Sequence, residues 1–149
     1  MFSALANTYT ASSAYAGIAT SCVGSNVCYS LNIPDATVSS GTGDIFMQIS
    51  GPTTYSWLGL GQGSSMSGAN FFIVYASSGG TNVTLSPRSA AGGHNMPTYN
   101  SAAQVTLLEG SGIKDGVMTA NIKCKLTSPT HTPRRLEKVE VQHNEKKNT

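Results

Sequence analysis

The side chain with the most distinctive chemistry in this sequence is Met66, which lies in a loop rich in glycine and serine. Two apolar, strand-like runs flank the loop, Tyr55–Leu60 and Ala69–Ala76. A thioether is a soft ligand suited to haem iron or copper(I), and it also fills irregular gaps in an apolar core. On spacing alone, the pattern favours a methionine folded over the end of the core, with metal ligation as the alternative.

The three histidines are the other candidate ligands. His94 lies in a glycine-containing loop, residues 90–97, that could approach a pocket. His131 and His143 lie in a polar C-terminal segment, where we expect them to face water. A single histidine in a loop is more often a surface residue than a ligand, so both interpretations of His94 stay open.

Two features are typical of exported proteins. Cys22 and Cys28 enclose five residues and could form a disulfide in an oxidising compartment, with two free thiols as the alternative. Cys124 then has no partner, and the cysteine spacing lacks the paired clusters of a zinc site. The tripeptide Asn-Val-Thr that begins at Asn82 is an N-glycosylation sequon.

The sequence lacks the common catalytic constellations. No serine lies in a G-x-S-x-G elbow, and the seven acidic residues form no obvious pair. The glycines around Met66 are not followed by the lysine and helix of a phosphate-binding loop. We therefore predict no catalytic residue and no catalysis by this chain alone.

Composition indicates the kind of fold that must position these residues. The 149 residues suffice for one domain, and 39% are hydrophobic while only 11% are charged. Residues 1–124 contain three basic and four acidic residues, whereas residues 125–149 contain six basic and three acidic ones. The body therefore has no basic patch, which argues against nucleic-acid binding. No run approaches the ~20 apolar residues of a membrane span.

The apolar pattern is that of short strands throughout, with no helical stripe. Turn signals recur about every ten residues, as is typical of an antiparallel β-sandwich with Ig-like architecture. Residues 7–16 are rich in Ser, Thr and Ala, and we expect them to form an irregular lead-in. The predicted strands include Val27–Ile33, Asp44–Ser50, Tyr55–Leu60, Phe71–Ala76, Asn82–Ser86, Gln104–Glu109 and Val117–Cys124.

The stretch from Trp57 to Tyr75, WLGLGQGSSMSGANFFIVY, contains the pattern W-x-G-x-G-x-G-x-x-M followed by an apolar strand. This stretch resembles the fungal cellobiose dehydrogenase-type cytochrome domain, a DOMON-like family. The resemblance covers residues 8–124. Supporting pieces are Val27–Pro34, Val83–Arg88 and His94–Asn100.

The resemblance implies an extracellular β-sandwich that holds haem b between a methionine and a histidine. Met66 occupies the methionine-ligand position, and His94 lies in a loop on the haem side. Pocket residues implied in the same way are Trp57, Gly63, Gly68 and Tyr99. Such a domain carries single electrons to or from a partner, such as a flavin dehydrogenase or an oxidative polysaccharide-degrading enzyme. Met/His ligation raises the potential of the iron.

The sequence departs from the family pattern after residue 124. The family's histidine ligand lies in a late segment, beyond the strand that corresponds to Val117–Cys124, and here a polar, charged segment follows. We therefore expect the last strands to be missing, which could leave the domain haem-deficient. The sequence predicts three parts: a lead-in at 1–7, an incomplete cytochrome domain at 8–124, and an aberrant, disordered basic tail at 125–149. The Ala-Leu-Ala of the lead-in resembles the end of a signal peptide.

Two other interpretations of the sequence compete with electron transfer. A non-redox module could bind carbohydrate or a cell-surface partner by stacking sugar rings on aromatic side chains. The side chains available for this are Tyr55, Trp57, Tyr75 and Tyr99. Alternatively, the chain is an incomplete gene product without a stable function.

Overall fold

The computed structural model describes residues 18–24, 26–62, 67–90, 96–126 and 141–145. These residues form a predominantly antiparallel β structure of two sheets, which confirms the predicted fold class. The elements, in chain order, are β1 Ala19–Val23, β2 Val27–Asn32, α1 Asp35–Ser40, β3 Gly43–Pro52, β4 Tyr55–Gln62, β5 Asn70–Ala76, β6 Val83–Ser89, β7 Thr98–Tyr99, β8 Val105–Leu107, β9 Gly112–Lys114, β10 Val117–Leu126 and β11 Val141–Glu145.

The two sheets divide the chain between them. The first sheet has the strand order β1-β2-β3-β10-β8, and β9 also pairs with β10. The second sheet has the order β11-β4-β5-β6-β7. Every strand pair is antiparallel. The turn from β3 to β4 takes the chain from one sheet to the other, where Thr53 N–H donates to the carbonyl of Gly116 at 2.8 Å.

The main core lies between the sheets and follows the alternation in the sequence. On the first sheet, the buried positions of β3 and β10 recur every second residue, as predicted. The second sheet contributes buried residues of β4 and β5, also two apart. The central members of this cluster are Met47, Ile49, Leu58, Leu60, Phe72, Val74, Met118, Ala120, Ile122 and Cys124.

A short helix, α1, was not predicted from the sequence. It has only six residues, too few for a helical repeat of apolar positions to stand out. Pro34 precedes it, and Gly41 ends it in the left-handed conformation at φ +69°. The hydroxyl of Thr37 donates to the carbonyl of Asp44 at 2.9 Å, which ties the helix to the start of β3.

The expectation of a disordered tail from residue 125 is wrong for two parts of that segment. Strand β10 continues to Leu126, where it pairs with Gly43 of β3. Strand β11 pairs with β4 from Val141 opposite Leu60 to Glu145 opposite Tyr55. Main-chain pairing along an exposed sheet edge requires little apolar side-chain area, so charge composition did not reveal it. The other tail residues lie outside the described ranges.

The edge strand β1 was also not predicted from the sequence. All five of its residues are exposed, so it has no buried face and no alternation. The structure joins it to β2 by a disulfide between Cys22 and Cys28, which face each other in the β1–β2 register. Cys124 is a buried free thiol.

Candidate functional site

The residues implied by the resemblance fall into two groups. Three lie outside the described residues: Met66, Gly63 and His94. The other three are described: Trp57 on β4, Gly68 in the loop before β5, and Tyr99 on β7. Their surroundings therefore identify the part of the fold to which the candidate site belongs.

The ends of two loops meet beside β5 and β6. Gly68 N–H donates to the carbonyl of Ala90 at 3.0 Å, and Ala90 N–H donates to the carbonyl of Ala69 at 3.2 Å. Met66 precedes Gly68 by two residues, and His94 follows Ala90 by four. The chain segments that contain the candidate methionine and the candidate histidine therefore join the sheet at one place.

Gly68 has a conformational role at this junction. Its φ is +75°, a region that side-chain-bearing residues rarely adopt. A Cβ added there would meet nothing within 4 Å, so space is not the constraint. The glycine at this position is explained by the turn into β5.

Next to the junction, the second sheet presents an apolar surface on the side away from the main core. Because Phe72 and Val74 point into the core, the alternate residues of β5 point outward. Phe71 is nevertheless only 9% exposed, and it clusters with Ala69, Ala90 and Ile73. We call this surface, defined by Trp57, Gly59, Phe71, Ile73 and Arg88, the outer face.

Gly59 lets two neighbouring side chains pack closely on the outer face. It lies directly opposite Ile73 in the β4–β5 register. A Cβ at this position would lie 2.9 Å from Ile73 Cδ1 and 3.2 Å from Trp57 Cζ3. The missing side chain therefore lets an indole ring and an isoleucine pack closely over the strand, leaving an apolar floor.

The outer face has a polar border on β6 and β7. Arg88 pairs with Phe71 on one side and with Tyr99 on the other. Its Nε donates to Ser86 Oγ at 3.3 Å, and its Nη1 donates to the carbonyl of Pro97 at 3.0 Å. Tyr99 is 65% exposed and lies at the edge of this surface.

Sequence reasoning missed Gly59, Phe71, Ile73 and Arg88 as members of one surface. One signal was present, because β5 is apolar at consecutive positions, a pattern typical of strands covered on both faces. The remaining members come from strands whose neighbours and register the sequence does not state.

The described residues outside this surface offer little alternative chemistry. Burial and, to a smaller extent, the charge of Asp44 raise the pKa of the Cys124 thiol, which disfavours a reactive thiolate. Within the described ranges, no group of three or more His, Cys, Asp or Glu residues could hold a metal ion. Nor does any described helix have the length and apolar character needed to cross a membrane.

The aromatic residues considered for sugar stacking do not share one exposed surface. Tyr55 packs against the main core, whereas Trp57 lies over Gly59 on the outer face. Tyr75 and Tyr99 are exposed. Tyr75 is on β5 opposite Thr84, and Tyr99 is on β7 opposite Arg88. A sugar-binding surface built from all four side chains is therefore not supported.

Comparisons with known proteins agree with this architecture. The chain is similar to the cytochrome b domain of pyranose dehydrogenase from Coprinopsis cinerea, with 20% identity, a TM-score of 0.58, and coverage of 66% of this chain and 49% of that one. It is also similar to the cytochrome domain of Myriococcum thermophilum cellobiose dehydrogenase, with 17% identity, a TM-score of 0.60, and coverage of 80% and 61%. This chain thus spans 49% and 61% of the length of these two structures.

A comparison with curated protein sequences finds no match. A family model, described as the cytochrome domain of cellobiose dehydrogenase, matches residues 7–146. The match extends well beyond residue 124 and includes strand β11. This chain therefore belongs to the family of cytochrome domains of cellobiose dehydrogenase.

Proposed function

We propose that this chain is a haem b-binding domain that transfers single electrons. The observation that carries the proposal is the apolar outer face, which lies beside the junction of Gly68 with Ala90. The loop that contains Met66 ends there, and the loop that contains His94 begins there. Membership of the cytochrome-domain family supports the same function.

The outer face fits a flat apolar group with an anionic edge. Its floor is apolar, and a Cβ on Gly59 would enter the space that Ile73 and Trp57 use. At the border, Arg88 supplies a positive charge, and its two hydrogen-bond acceptors in the described structure are neutral. A porphyrin combines an apolar ring with carboxylates on one edge, so the residues present suit it.

The haem iron, when bound, would take up and release one electron at a time. The thioether of Met66 would be a soft ligand that favours the reduced iron, which raises the potential. Trp57 and Ile73 would exclude water from one side of the site. We propose His94 as a residue on the haem side.

We further propose that the electron donor or acceptor is a separate protein, such as a flavin dehydrogenase or an oxidative polysaccharide-degrading enzyme. The proposal follows from the family, whose name refers to a dehydrogenase.

Haemin added to the purified chain is expected to give a low-spin spectrum with a sharp Soret band and an α-band after reduction. Met66→Ala should remove the low-spin bands, because the iron loses its sulfur ligand. Absorption spectra of the oxidised and reduced proteins measure this change directly.

Met96→Ala is the matched control, because Met96 is 84% exposed and two residues beyond His94. Its spectrum should equal that of the unmodified chain. An unchanged spectrum in Met66→Ala would refute ligation of the iron by Met66. Failure of the unmodified chain to bind haemin would refute the proposed function itself.

We also propose that the chain is secreted and carries an N-linked glycan on Asn82. Asn82 is exposed in the loop between β5 and β6. That loop is shaped by the main-chain carbonyl of Asn82, which accepts from Ser77 N at 2.9 Å and Ser77 Oγ at 2.8 Å. These bonds do not engage the amide that would carry the glycan. The disulfide between Cys22 and Cys28 independently suits an oxidising compartment.

Secretion of the full chain from yeast is expected to yield a glycoprotein whose mass falls on treatment with an N-glycosidase. Asn82→Gln and Thr84→Ala should both abolish the mass change, whereas Thr84→Ser should keep it, because the sequon accepts either hydroxyl residue. Asn100→Gln serves as a control outside the sequon. A wild-type chain secreted without a glycan would contradict the assignment.

A further inference from the structure

Arg88 is a positive charge held at the edge of an apolar surface. It lies on β6 directly opposite Phe71, which is 9% exposed, and opposite Tyr99 on β7. Residues that pair directly across antiparallel strands project from the same side of the sheet. Arg88 therefore belongs to the outer face and not to the main core.

Two fixed contacts hold the Arg88 guanidinium. Its Nε donates to Oγ of Ser86, a residue that is only 6% exposed, and its Nη1 donates to the carbonyl of Pro97. Holding the planar group in place before a ligand arrives reduces the rotamer entropy lost on binding. The side chain is thus preorganised over the border between β6 and β7.

Among the described residues, these contacts use two of the N–H donors of the guanidinium. A guanidinium has five N–H donors, and the two acceptors found in the described structure take one each. Both acceptors are neutral, so neither compensates the positive charge. Arg88 is half-buried, and a partly desolvated cation of this kind is stabilised by an anionic partner.

We propose that Arg88 binds a carboxylate on the edge of the cofactor and thereby selects for a porphyrin with free carboxylates. The inference rests on the proposed haem function and names a specificity determinant of that same site. The apolar floor alone would accept any flat apolar ring of suitable size. The cation at one border distinguishes the carboxylate edge from the other edges and so orients the ring.

A purely structural role for Arg88 predicts a different pattern of ligand binding. Its bond to the Pro97 carbonyl connects β6 to the segment before β7, and loss of that bond could disturb the surface without any carboxylate contact. A structural defect would weaken binding of every flat apolar ligand. A carboxylate contact would weaken only ligands that have the free carboxylate.

The experiment compares haemin with haemin dimethyl ester, whose carboxylates are blocked, by absorbance titration of the full chain. The unmodified chain is expected to bind haemin roughly tenfold or more tightly than the ester, because a hydrogen bond between charged groups is worth at least that factor. Arg88→Gln should lose this preference while keeping its affinity for the ester. Arg88→Lys should keep part of the preference, because the charge remains without the planar fork.

Lys114→Gln is the control for loss of one positive charge, since Lys114 is exposed on β9 of the other sheet. It should retain the full preference for haemin. Equal affinities for both ligands in the unmodified chain, or equal weakening of both in Arg88→Gln, would overturn the inference while leaving haem binding intact. Absence of binding of either ligand to the unmodified chain would overturn the proposed function and this inference with it.

Discussion

Leu58→Ala is expected to lower the free energy of unfolding by about 3 kcal/mol, because it removes three buried carbons and leaves a cavity between the sheets. Leu58 is 0% exposed and projects from β4 into the main core. Leu58 lies against Gly51 on β3 of the other sheet. A Cβ built at Gly51 would lie 3.0 Å and 3.2 Å from the two Cδ atoms of Leu58.

This contact makes a compensating pair of substitutions possible. Gly51→Ala alone is expected to destabilise by about 1–2 kcal/mol, because its methyl group overpacks against Leu58 and Val27. In Leu58→Ala/Gly51→Ala, the new methyl enters space vacated by the leucine. The double variant should therefore be at least about 1 kcal/mol more stable than the sum of the single effects predicts.

Urea unfolding of the four proteins, followed by circular dichroism, measures this coupling. Leu60→Ala combined with Gly51→Ala is the control, because the nearest atoms to the Gly51 position belong to Leu58 and Val27. Those two effects should add within about 0.5 kcal/mol. Additivity in the Leu58 pair as well would contradict the packing of β3 against β4 described above.

Alkaline pH is expected to destabilise the fold through Tyr29. Tyr29 is 4% exposed, and its hydroxyl has no hydrogen-bond partner among the described residues. Burial raises the pKa of Tyr29 from 10.0 to about 12. The folded state therefore holds the phenol proton more tightly than the unfolded chain does.

The direction of the pH dependence of stability follows from this difference in pKa. Below pH 10, both states are protonated and the full stability is present. As pH rises from 10 towards 12, the unfolded chain loses the proton first, so the stability falls by a total of about 2.5 kcal/mol. Tyr29→Phe removes this loss. At neutral pH, Tyr29→Phe should also raise the free energy of unfolding by about 1 kcal/mol, because burying a hydroxyl without a hydrogen-bond partner destabilises the folded state.

Urea unfolding between pH 7 and pH 11.5 tests this expectation. Both proteins should carry Cys124→Ala, because the buried thiol also has a raised pKa and could exchange with the disulfide once ionised. Tyr99→Phe, at a residue that is 65% exposed, is the control and should keep the alkaline decline. If the free energy of unfolding falls with pH equally in Tyr29→Phe and in its parent, the Tyr29 phenol does not cause the alkaline loss of stability.

Strands with one buried face were predictable from the sequence because side chains alternate across a strand. In β3 and β10, every second residue is apolar, and these residues are the buried ones. In β1 and β11 the alternation is absent or weak, and both strands lie at sheet edges. Main-chain hydrogen bonds pair both strands with a neighbour, and every non-proline residue can contribute to these whatever its side chain.

The sequence by itself determined the all-β class, the alternation of the central strands and, through the motif around Met66, the family. Only the tertiary structure decided that Gly68 joins Ala90, that Gly59 lies beneath Ile73, and that Arg88 borders the apolar outer face. The physical reason is register. The alternation of side chains along a strand determines which residues share a face of the sheet. The partner strand and its register are set by packing between residues far apart in the chain.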